Sequence, residues 1–481
     1  MRLSNVGNPS YKVSVLFGAV DGNNKVIPVC HVYDRLLSDV PSDISVEAGE
    51  TTFALHKFPL VSKSGRIRKQ LADSKDATKV HLQDMPGGAE AFEFAAKFCY
   101  GAIPEISASN VAMLRCAASY LEMTDHYSDG SLETRTETYL NEIVCHNLPD
   151  SVTVLHTCEN LLPFAEDLKI IVRCIEAITS AASNEELKRG LSRLTASGSQ
   201  SQWISSQDYP KPESATAADP DSWWGKELII LNIHMFQRIV TAMKSKGLGH
   251  DIVTGALMHY ARNSLEPYTK QPNPEAAIKA SPGLHRPRFK SPGVPAPTLA
   301  EREKKSVVET VVSLLPPQSK TMPVNFISWL LRAAMMLNVT ASFRTELEKR
   351  FGARLEQATV DDLLVPSYTS YKEEGHTLYD TDVVLRIVAN FLQFSEEGEA
   401  EAWDAIGGGG YESDVVGSPT HNHKQNQNVI QVSKLLDSYL AEIAPDSHLS
   451  MSTFVALAEA MPDDARLVDD GLYRAIDIFL K

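Results

Sequence analysis

The sequence predicts an α+β domain with a small mixed sheet and helices near the amino terminus, followed by a mostly α-helical domain. The sheet is predicted because apolar residues alternate at Ile44 and Val46 and again at Phe53 and Leu55. The helical domain is predicted because apolar residues recur at helical spacing through most of residues 221–481.

The stretch LHKFPLVSKSGRIRKQL, residues 55–71, places a proline and a glycine inside an otherwise helix-like pattern. The residues AGE at 48–50, just before it, are typical of a hairpin turn. Pro59 suits the first position of a helix, where its missing N–H needs no partner. Ser64 is expected to cap a second helix. The order is therefore strand, strand, short helix, bend, short helix.

Later elements follow the same rules. A short strand is predicted around Val80, and residues 111–180 are helical throughout. Asp380 is expected to cap the helix that follows it. Two helices have well-defined apolar faces, the first made by Phe92, Ala95, Ala96 and Cys99 and the second by Phe236, Ile239, Val240 and Met243.

Shifts in composition predict the domain boundaries. Residues 1–37 form an atypical N-terminal extension, 38–128 the mixed domain, and 129–183 a helical extension behind it. Periodicity is lost at 184–220, where Ser, Thr, Pro and Asp increase, so this segment is predicted to be a linker. The helical domain then spans 221–481, with flexible inserts near 265–300 and 396–428.

Composition excludes several classes of protein. A formal charge of −15 argues against nucleic-acid binding, which needs a basic face. No apolar run reaches the roughly 18–20 residues that span a bilayer, so we expect a cytoplasmic protein or one peripheral to the plasma membrane. Six cysteines without a CxxC pair are typical of buried thiols in a reducing compartment. We therefore expect neither a metal nor another cofactor.

Enzymatic chemistry is not indicated by the sequence. The acidic pairs DD at 361–362, 463–464 and 469–470 precede apolar helical runs, which is typical of capping residues. The glycine run at 407–410 lacks the preceding strand and the following Lys-Ser/Thr of a phosphate-binding loop. We expect a protein that is not an enzyme and acts as an adaptor or scaffold.

Several blocks of sequence together resemble one plant family. They include FALHKFPLVSKSG, LQDMPGGAEAFEFAAKFCYG, SWWGKELIILNIHMFQRI, LYDTDVVLRIV and GLYRAIDIFLK. The chain resembles the non-phototropic-hypocotyl / root-phototropism family from about residue 40 to residue 481. The resemblance implies a BTB/POZ domain at 38–128 and a family-specific helical domain at 221–481.

The resemblance also implies the function. BTB domains form homodimers or heterodimers, and many dock onto a cullin scaffold. We therefore expect a substrate-specific adaptor of a cullin-RING ubiquitin ligase in phototropism or auxin-type signalling, with a substrate or receptor protein as its second partner. The alternative is a scaffold outside any ligase, for plasma-membrane signalling or polar trafficking. A BTB transcriptional cofactor is disfavoured because no zinc-finger spacing or basic helix is present.

Two groups of site residues follow from the implied domain. Docking to the cullin is predicted at the helix around 91–100, because an aromatic anchor beside a carboxylate suits a protein interface. Its three phenylalanines, at 92, 94 and 98, cannot all face outward, so at least one of them must be core. The docking candidates are Phe92, Glu93 and Tyr100. The candidates for a dimer or partner surface are His56, Lys57, Arg66 and Arg68, and the alternative for them is a solvated face over a core containing Phe58 and Leu60.

Two further predictions concern the helical domain. Tyr473 is a candidate for phosphorylation, although apolar residues on its helical face favour its burial. A basic, proline-rich loop is a candidate for contact with anionic membrane, because several cations together add a few kcal/mol of attraction at about 1 kcal/mol each. A solvated linker is the alternative for this loop, whose candidate residues are Lys279, Arg286, Arg288 and Lys290.

Overall fold

The computed structural model describes most of the chain after residue 40. The described stretches are residues 12–13, 18–20, 26–28, 41–73, 78–197, 224–269, 298–316, 322–367, 377–406, 420–462, 465–466 and 468–481. The backbone alone is described at 12–28 within these stretches, 185–197, 224, 266–269, 396–406 and 420–426. Contacts divide the chain into two compact units, Met1–Leu248 and Gly249–Lys481.

A four-stranded mixed sheet forms the centre of the first unit. Strands β4 (Ile44–Ala48) and β5 (Thr51–Leu55) make the predicted hairpin, with Ile44 opposite Leu55 and a turn at Gly49. Gly49 has a φ of 59°, a left-handed conformation that glycine adopts without steric cost. The strand order is β1-β5-β4-β6, with β1 parallel to β5 and β6 parallel to β4. The strands are β1 (Lys12–Val13), β4 (Ile44–Ala48), β5 (Thr51–Leu55) and β6 (Lys79–Leu82), and a separate antiparallel pair is formed by β2 (Gly18–Val20) and β3 (Val26–Pro28).

Two short helices, α1 (Lys57–Lys63) and α2 (Gly65–Asp73), follow the hairpin. Pro59 is the third residue of α1 and not the first, but it still lies in the first turn, where its missing N–H costs no helical bond. The Ser64 hydroxyl accepts from the N–H of Ile67, which confirms the predicted cap, and donates to the carbonyl of Leu121 at 2.7 Å. A Cβ on Gly65 would lie 2.5 Å from the Tyr127 ring. The bend therefore exists because the chain here packs closely on residues 121–127.

Helices α3 (Gly88–Cys99) and α4 (Val111–Tyr120) complete the α+β core. Phe92 lies against Phe53 of the sheet with ring centroids 5.1 Å apart, and both side chains are fully buried. This arrangement of a small mixed sheet with helices confirms the predicted fold class of the amino-terminal part.

Further helices of the first unit pack behind this core. Among them, α9 (Ile233–Ser245) buries the face predicted from its sequence, namely Phe236, Ile239, Val240 and Met243. They are α5 (Leu132–Glu142), α6 (Leu148–Cys158), α7 (Phe164–Asp167), α8 (Ile170–Ser197) and α9 (Ile233–Ser245), with 3-10 turns at Val144–His146, Glu159–Leu161 and Trp224–Ile230.

The division between the two units lies after Leu248, which differs from the boundary expected at residue 221. Polar contacts show why residues 224–248 belong with the first unit. The Arg238 guanidinium makes two hydrogen bonds to the Glu166 carboxylate, at 2.8 and 2.9 Å. The Asn232 N–H donates to Glu159 at 2.9 Å. Together with the apolar face of α9, these bonds link the helix to α6–α8, which precede it in the chain.

In its described residues the second unit is helical, apart from one isolated β-bridge between Pro366 and Tyr379. The Asp380 carboxylate accepts from the N–H of Val383, which confirms the predicted cap. The helices are α10 (His250–Thr269), α11 (Leu299–Leu314), α12 (Val324–Met336), α13 (Ala341–Gly352), α14 (Val360–Leu363), α15 (Thr381–Ile406), α16 (Thr420–Ile443), α17 (Met451–Ala458) and α18 (Asp470–Phe479), with a 3-10 turn at Leu355–Gln357.

Part of the predicted insert at 396–428 is helical, since α15 continues to Ile406 and α16 begins at Thr420. Likewise, α10 continues to Thr269. In the part of the chain that is described, no helix combines the length and the apolar character needed to cross a membrane.

Candidate protein-interaction surfaces

Helix α3 carries the predicted docking residues, and the structure corrects the prediction for Phe92. Its side chain has no exposed surface and packs in the core against Phe53. It cannot act as an accessible anchor in this fold. The apolar stripe of α3 already indicated this, since Phe92 shares one helical face with Ala95 and Cys99.

On its outer side α3 presents a carboxylate, Glu93, next to an aromatic residue, Phe94, with Glu90 one turn earlier also exposed. Glu93 is half-exposed and pairs with Lys97 one turn later, at 2.8 Å. The Phe94 ring is partly exposed, and the Lys97 ammonium lies 5.7 Å from its centroid. Of the two docking candidates on α3, Glu93 is therefore accessible and Phe92 is not, and docking at this helix stays a prediction.

Tyr100, the third docking candidate, is a structural residue. Its hydroxyl oxygen accepts the backbone N–H of His56 at 2.8 Å and lies 3.0 Å from the His56 ring nitrogen Nδ1. Burial raises the pKa of Tyr100 to about 12. This contact joins the end of α3 to the start of α1, so both Tyr100 and His56 are engaged within the fold.

The basic residues of α1 and α2 form one surface, which we call the α1–α2 basic surface: Lys57, Lys63, Arg66, Arg68 and Lys69. The structure places three of these cations over aromatic rings. The Lys63 ammonium lies 4.6 Å from the Phe98 centroid. The Arg66 guanidinium lies 3.8 Å from the Tyr120 centroid, and that of Arg68 4.9 Å from the Tyr127 centroid.

Phe58 lies beside this surface and is 83% exposed. The alternative that placed Phe58 in the core is therefore wrong, whereas Leu60 is fully buried as expected. The difference arises because α1 is short and only one of its faces contacts the domain. Phe58 is an exposed aromatic residue that the periodicity of the sequence did not identify.

A partly buried charge network joins α4, α5 and α8 behind these surfaces. Arg115 bonds Glu133 at 2.9 Å and Glu137 at 3.0 Å, and Arg173 also donates to Glu137. Burial by itself raises the pKa of Glu137, but hydrogen bonds from Arg173 and Arg115 outweigh it and hold the pKa below its ordinary value of 4.5. Ionised Glu137 therefore stabilises the packing of three helices.

The lowered pKa of Glu137 predicts a dependence of stability on pH. A carboxylate whose pKa falls on folding contributes stability above its unfolded pKa, and this is lost as the pH falls through the folded pKa. We expect the loss of stability caused by Glu137→Gln to be largest at neutral pH and to shrink below pH 4.5. Urea unfolding between pH 7 and roughly pH 3 measures this, because the window must extend below the folded pKa. Exposed Glu142→Gln on the same helix is the control. A difference that stays constant with pH would contradict the assignment.

Buried thiols occupy the interior of the first unit. Burial raises the pKa of Cys99, Cys116 and Cys174 to about 12, and it also raises the pKa of Cys158. These thiols are therefore protonated and weakly nucleophilic at neutral pH. Among the described residues, no group of three or more His, Cys, Asp or Glu side chains is arranged to hold a metal ion.

The remaining site predictions fall in the second half of the chain. Tyr473 is 68% exposed on α18, so the expectation that its apolar neighbours bury it is wrong. The four basic residues predicted to touch membrane lie outside the described residues, namely Lys279, Arg286, Arg288 and Lys290.

Comparison with known proteins agrees with the family resemblance found in the sequence. The model of the NPH3 family matches residues 222–481. BTB/POZ domain-containing protein SETH6 of Arabidopsis thaliana is 43% identical over 454 residues, which cover 92% of this chain and 65% of that protein. Root phototropism protein 2 of the same plant is 37% identical over 445 residues, covering 92% of this chain and 66% of that protein.

The chain thus spans about 65% of the length of SETH6 and a similar share of the other relatives named here. Root phototropism protein 3 of Arabidopsis thaliana is 36% identical over 509 residues, covering 92% of this chain and 68% of that protein. No solved structure gives a significant match.

Proposed function

Because the chain belongs to the NPH3 family, with BTB/POZ relatives along most of its length, we propose that it is a substrate-recruiting adaptor of a cullin-RING ubiquitin ligase in plant signalling. The proposed adaptor pairs through its BTB domain and performs no chemistry itself. It raises the concentration of a bound target near the ubiquitin-transfer machinery. The link to phototropism in this proposal rests on the names of two relatives, Root phototropism proteins 2 and 3.

The observation that carries the proposal is the outer side of α3. Glu93 and Phe94 place a carboxylate beside a partly exposed ring on a helix whose other face is anchored in the core. A rigid helix with an aromatic contact and an adjacent charge is suited to a protein interface, because the ring supplies apolar burial and the charge supplies register. The proposed docking pair is thus Glu93 and Phe94, in place of the buried Phe92.

Binding of the purified chain to the amino-terminal domain of a cullin tests this proposal. We expect Glu93→Ala/Phe94→Ala to weaken binding at least about 30-fold, the loss of about 2 kcal/mol that defines an interface hot spot. Tyr473→Ala/Asp477→Ala removes an exposed aromatic and a carboxylate from α18 and is the matched control. No binding by the wild type would refute the adaptor role, and equal loss in both double variants would refute the site.

The second candidate function is a BTB scaffold for plasma-membrane signalling or polar trafficking that works outside any ligase. The phototropism in the names of two relatives favours it, since those names describe a signalling response. Such a scaffold is expected to self-associate in analytical ultracentrifugation and to ignore the cullin domain. In either role, exposed Tyr473 is the proposed phosphorylation site, and contact of the basic loop with anionic membrane stays a prediction.

A further inference from the structure

The α1–α2 basic surface has an unusual density of cations held over aromatic rings. Energetically significant pairs of this kind occur about once in 70–80 residues. Here Lys63, Arg66 and Arg68 each lie within 4.9 Å of a ring centroid. Stacking restricts the long side chains, so less conformational entropy is lost when they bind a partner.

Hydrogen bonds hold these cations in place without neutralising them. The Lys63 ammonium donates to the carbonyl of Phe98 at 2.8 Å. The Arg68 guanidinium donates twice to the carbonyl of Val61, at 3.1 and 2.9 Å. A carbonyl accepts a hydrogen bond but carries no net charge, so both positive charges persist at the surface.

Carboxylates in contact with this surface are fewer than its cations. Among the described residues, Glu122 pairs with Lys69 at 2.6 Å, and Asp43 accepts the backbone N–H of Lys57 at 2.7 Å. Asp73, the last residue of α2, is a third carboxylate, so five cations meet three carboxylates and leave a net charge of about +2. The chain as a whole has a net charge of −15. Such a field attracts acidic groups and repels basic ones.

Phe58 adds an apolar contact to this charged surface. Its ring is 83% exposed and follows Lys57 directly in α1. Aromatic and arginine side chains are the residues most enriched where protein interfaces bind tightly. Nucleic acid is disfavoured because the chain carries a net charge of −15. A membrane also accepts an exposed aromatic side chain, so anionic vesicles are included in the test below.

We propose that the α1–α2 basic surface binds an acidic protein segment that also carries apolar side chains, with Phe58 as the apolar contact. The inference deepens the adaptor function proposed above, because it names the chemistry of a recruited partner. A second copy of this chain in a two-fold contact is disfavoured as the occupant. A two-fold contact centred on this surface would set its cations against the same cations of the copy.

Fluorescence anisotropy with the full chain tests the proposal. The probe is a labelled peptide of alternating Glu and Leu, and its control is the same peptide with Gln in place of Glu. We expect the acidic peptide to bind at least tenfold more tightly than the Gln peptide, and to lose affinity between about 50 and 300 mM salt because surface charges are screened.

Variants locate the site of binding. Lys57→Glu/Arg68→Glu is expected to weaken binding of the acidic peptide at least tenfold. Phe58→Ser is expected to weaken it at least threefold. Arg302→Glu/Lys349→Glu makes the same change of charge at exposed positions of the second unit and is expected to leave binding unchanged. Circular dichroism of each variant establishes that it folds.

Several results would overturn the proposal. These are equal affinity for the two peptides, equal loss in the control pair, or stronger binding of DNA or phosphatidylserine vesicles than of the acidic peptide. A shift of Lys57→Glu/Arg68→Glu to the monomer in ultracentrifugation would reassign the surface to self-association. Cullin binding separates this proposal from the adaptor function proposed above. Lys57→Glu/Arg68→Glu keeps the docking pair on α3, so it is expected to bind the cullin domain as the wild type does.

Discussion

Phe92→Ala is expected to destabilise the first unit by about 3–5 kcal/mol, the usual cost of truncating a buried phenylalanine. Its side chain is fully buried and packs on Phe53 of the sheet, so its loss leaves a cavity between α3 and β5. Urea unfolding, followed by circular dichroism, measures the change in the free energy of unfolding.

Phe58→Ala is the matched control for this truncation. It deletes the same atoms from a ring that is 83% exposed, and a change within about 0.5 kcal/mol is expected. A small effect of Phe92→Ala would mean that α3 is rotated in solution and that Phe92 faces outward as the sequence first suggested. Any loss of cullin binding by Phe92→Ala must accordingly be corrected for the unfolded fraction.

Arg386→Met is expected to destabilise the second unit by about 1–3 kcal/mol, because it leaves the buried Glu348 carboxylate without its hydrogen-bond donor. The Arg386 guanidinium makes two hydrogen bonds to Glu348, at 2.8 and 2.9 Å. The Glu348 side chain is only 4% exposed, whereas the Arg386 side chain is 52% exposed, so the cost comes from the carboxylate and not from the arginine. Chemical unfolding of the second unit measures the effect.

A second substitution identifies the cause of this destabilisation. Adding Glu348→Gln to Arg386→Met removes the buried charge, so we expect it to recover much of the lost stability. Arg302→Met makes the same replacement at an exposed site on α11 and is expected to cost less than about 0.5 kcal/mol. Failure of Glu348→Gln to restore stability would show that lost packing of the arginine stem dominates.

The sequence by itself determined the local architecture and the family. The β4–β5 hairpin, the Ser64 and Asp380 caps and the buried face of α9 were all predicted correctly. These features depend on side chains within a few positions of one another, through alternation, helical periodicity or a hydrogen bond over three residues. The family was recognised from whole blocks of sequence and not from any single site.

Only the tertiary structure decided which residues are available to partners. Phe92 is buried while Phe94 and Phe58 are partly or largely exposed, although all three lie in similar helical sequence. Only the tertiary structure also shows the hydrogen bond between His56 and Tyr100, which are 44 positions apart in the sequence. Burial and long-range hydrogen bonds depend on which distant segment covers a helix face, and a pattern read along one helix does not contain that information.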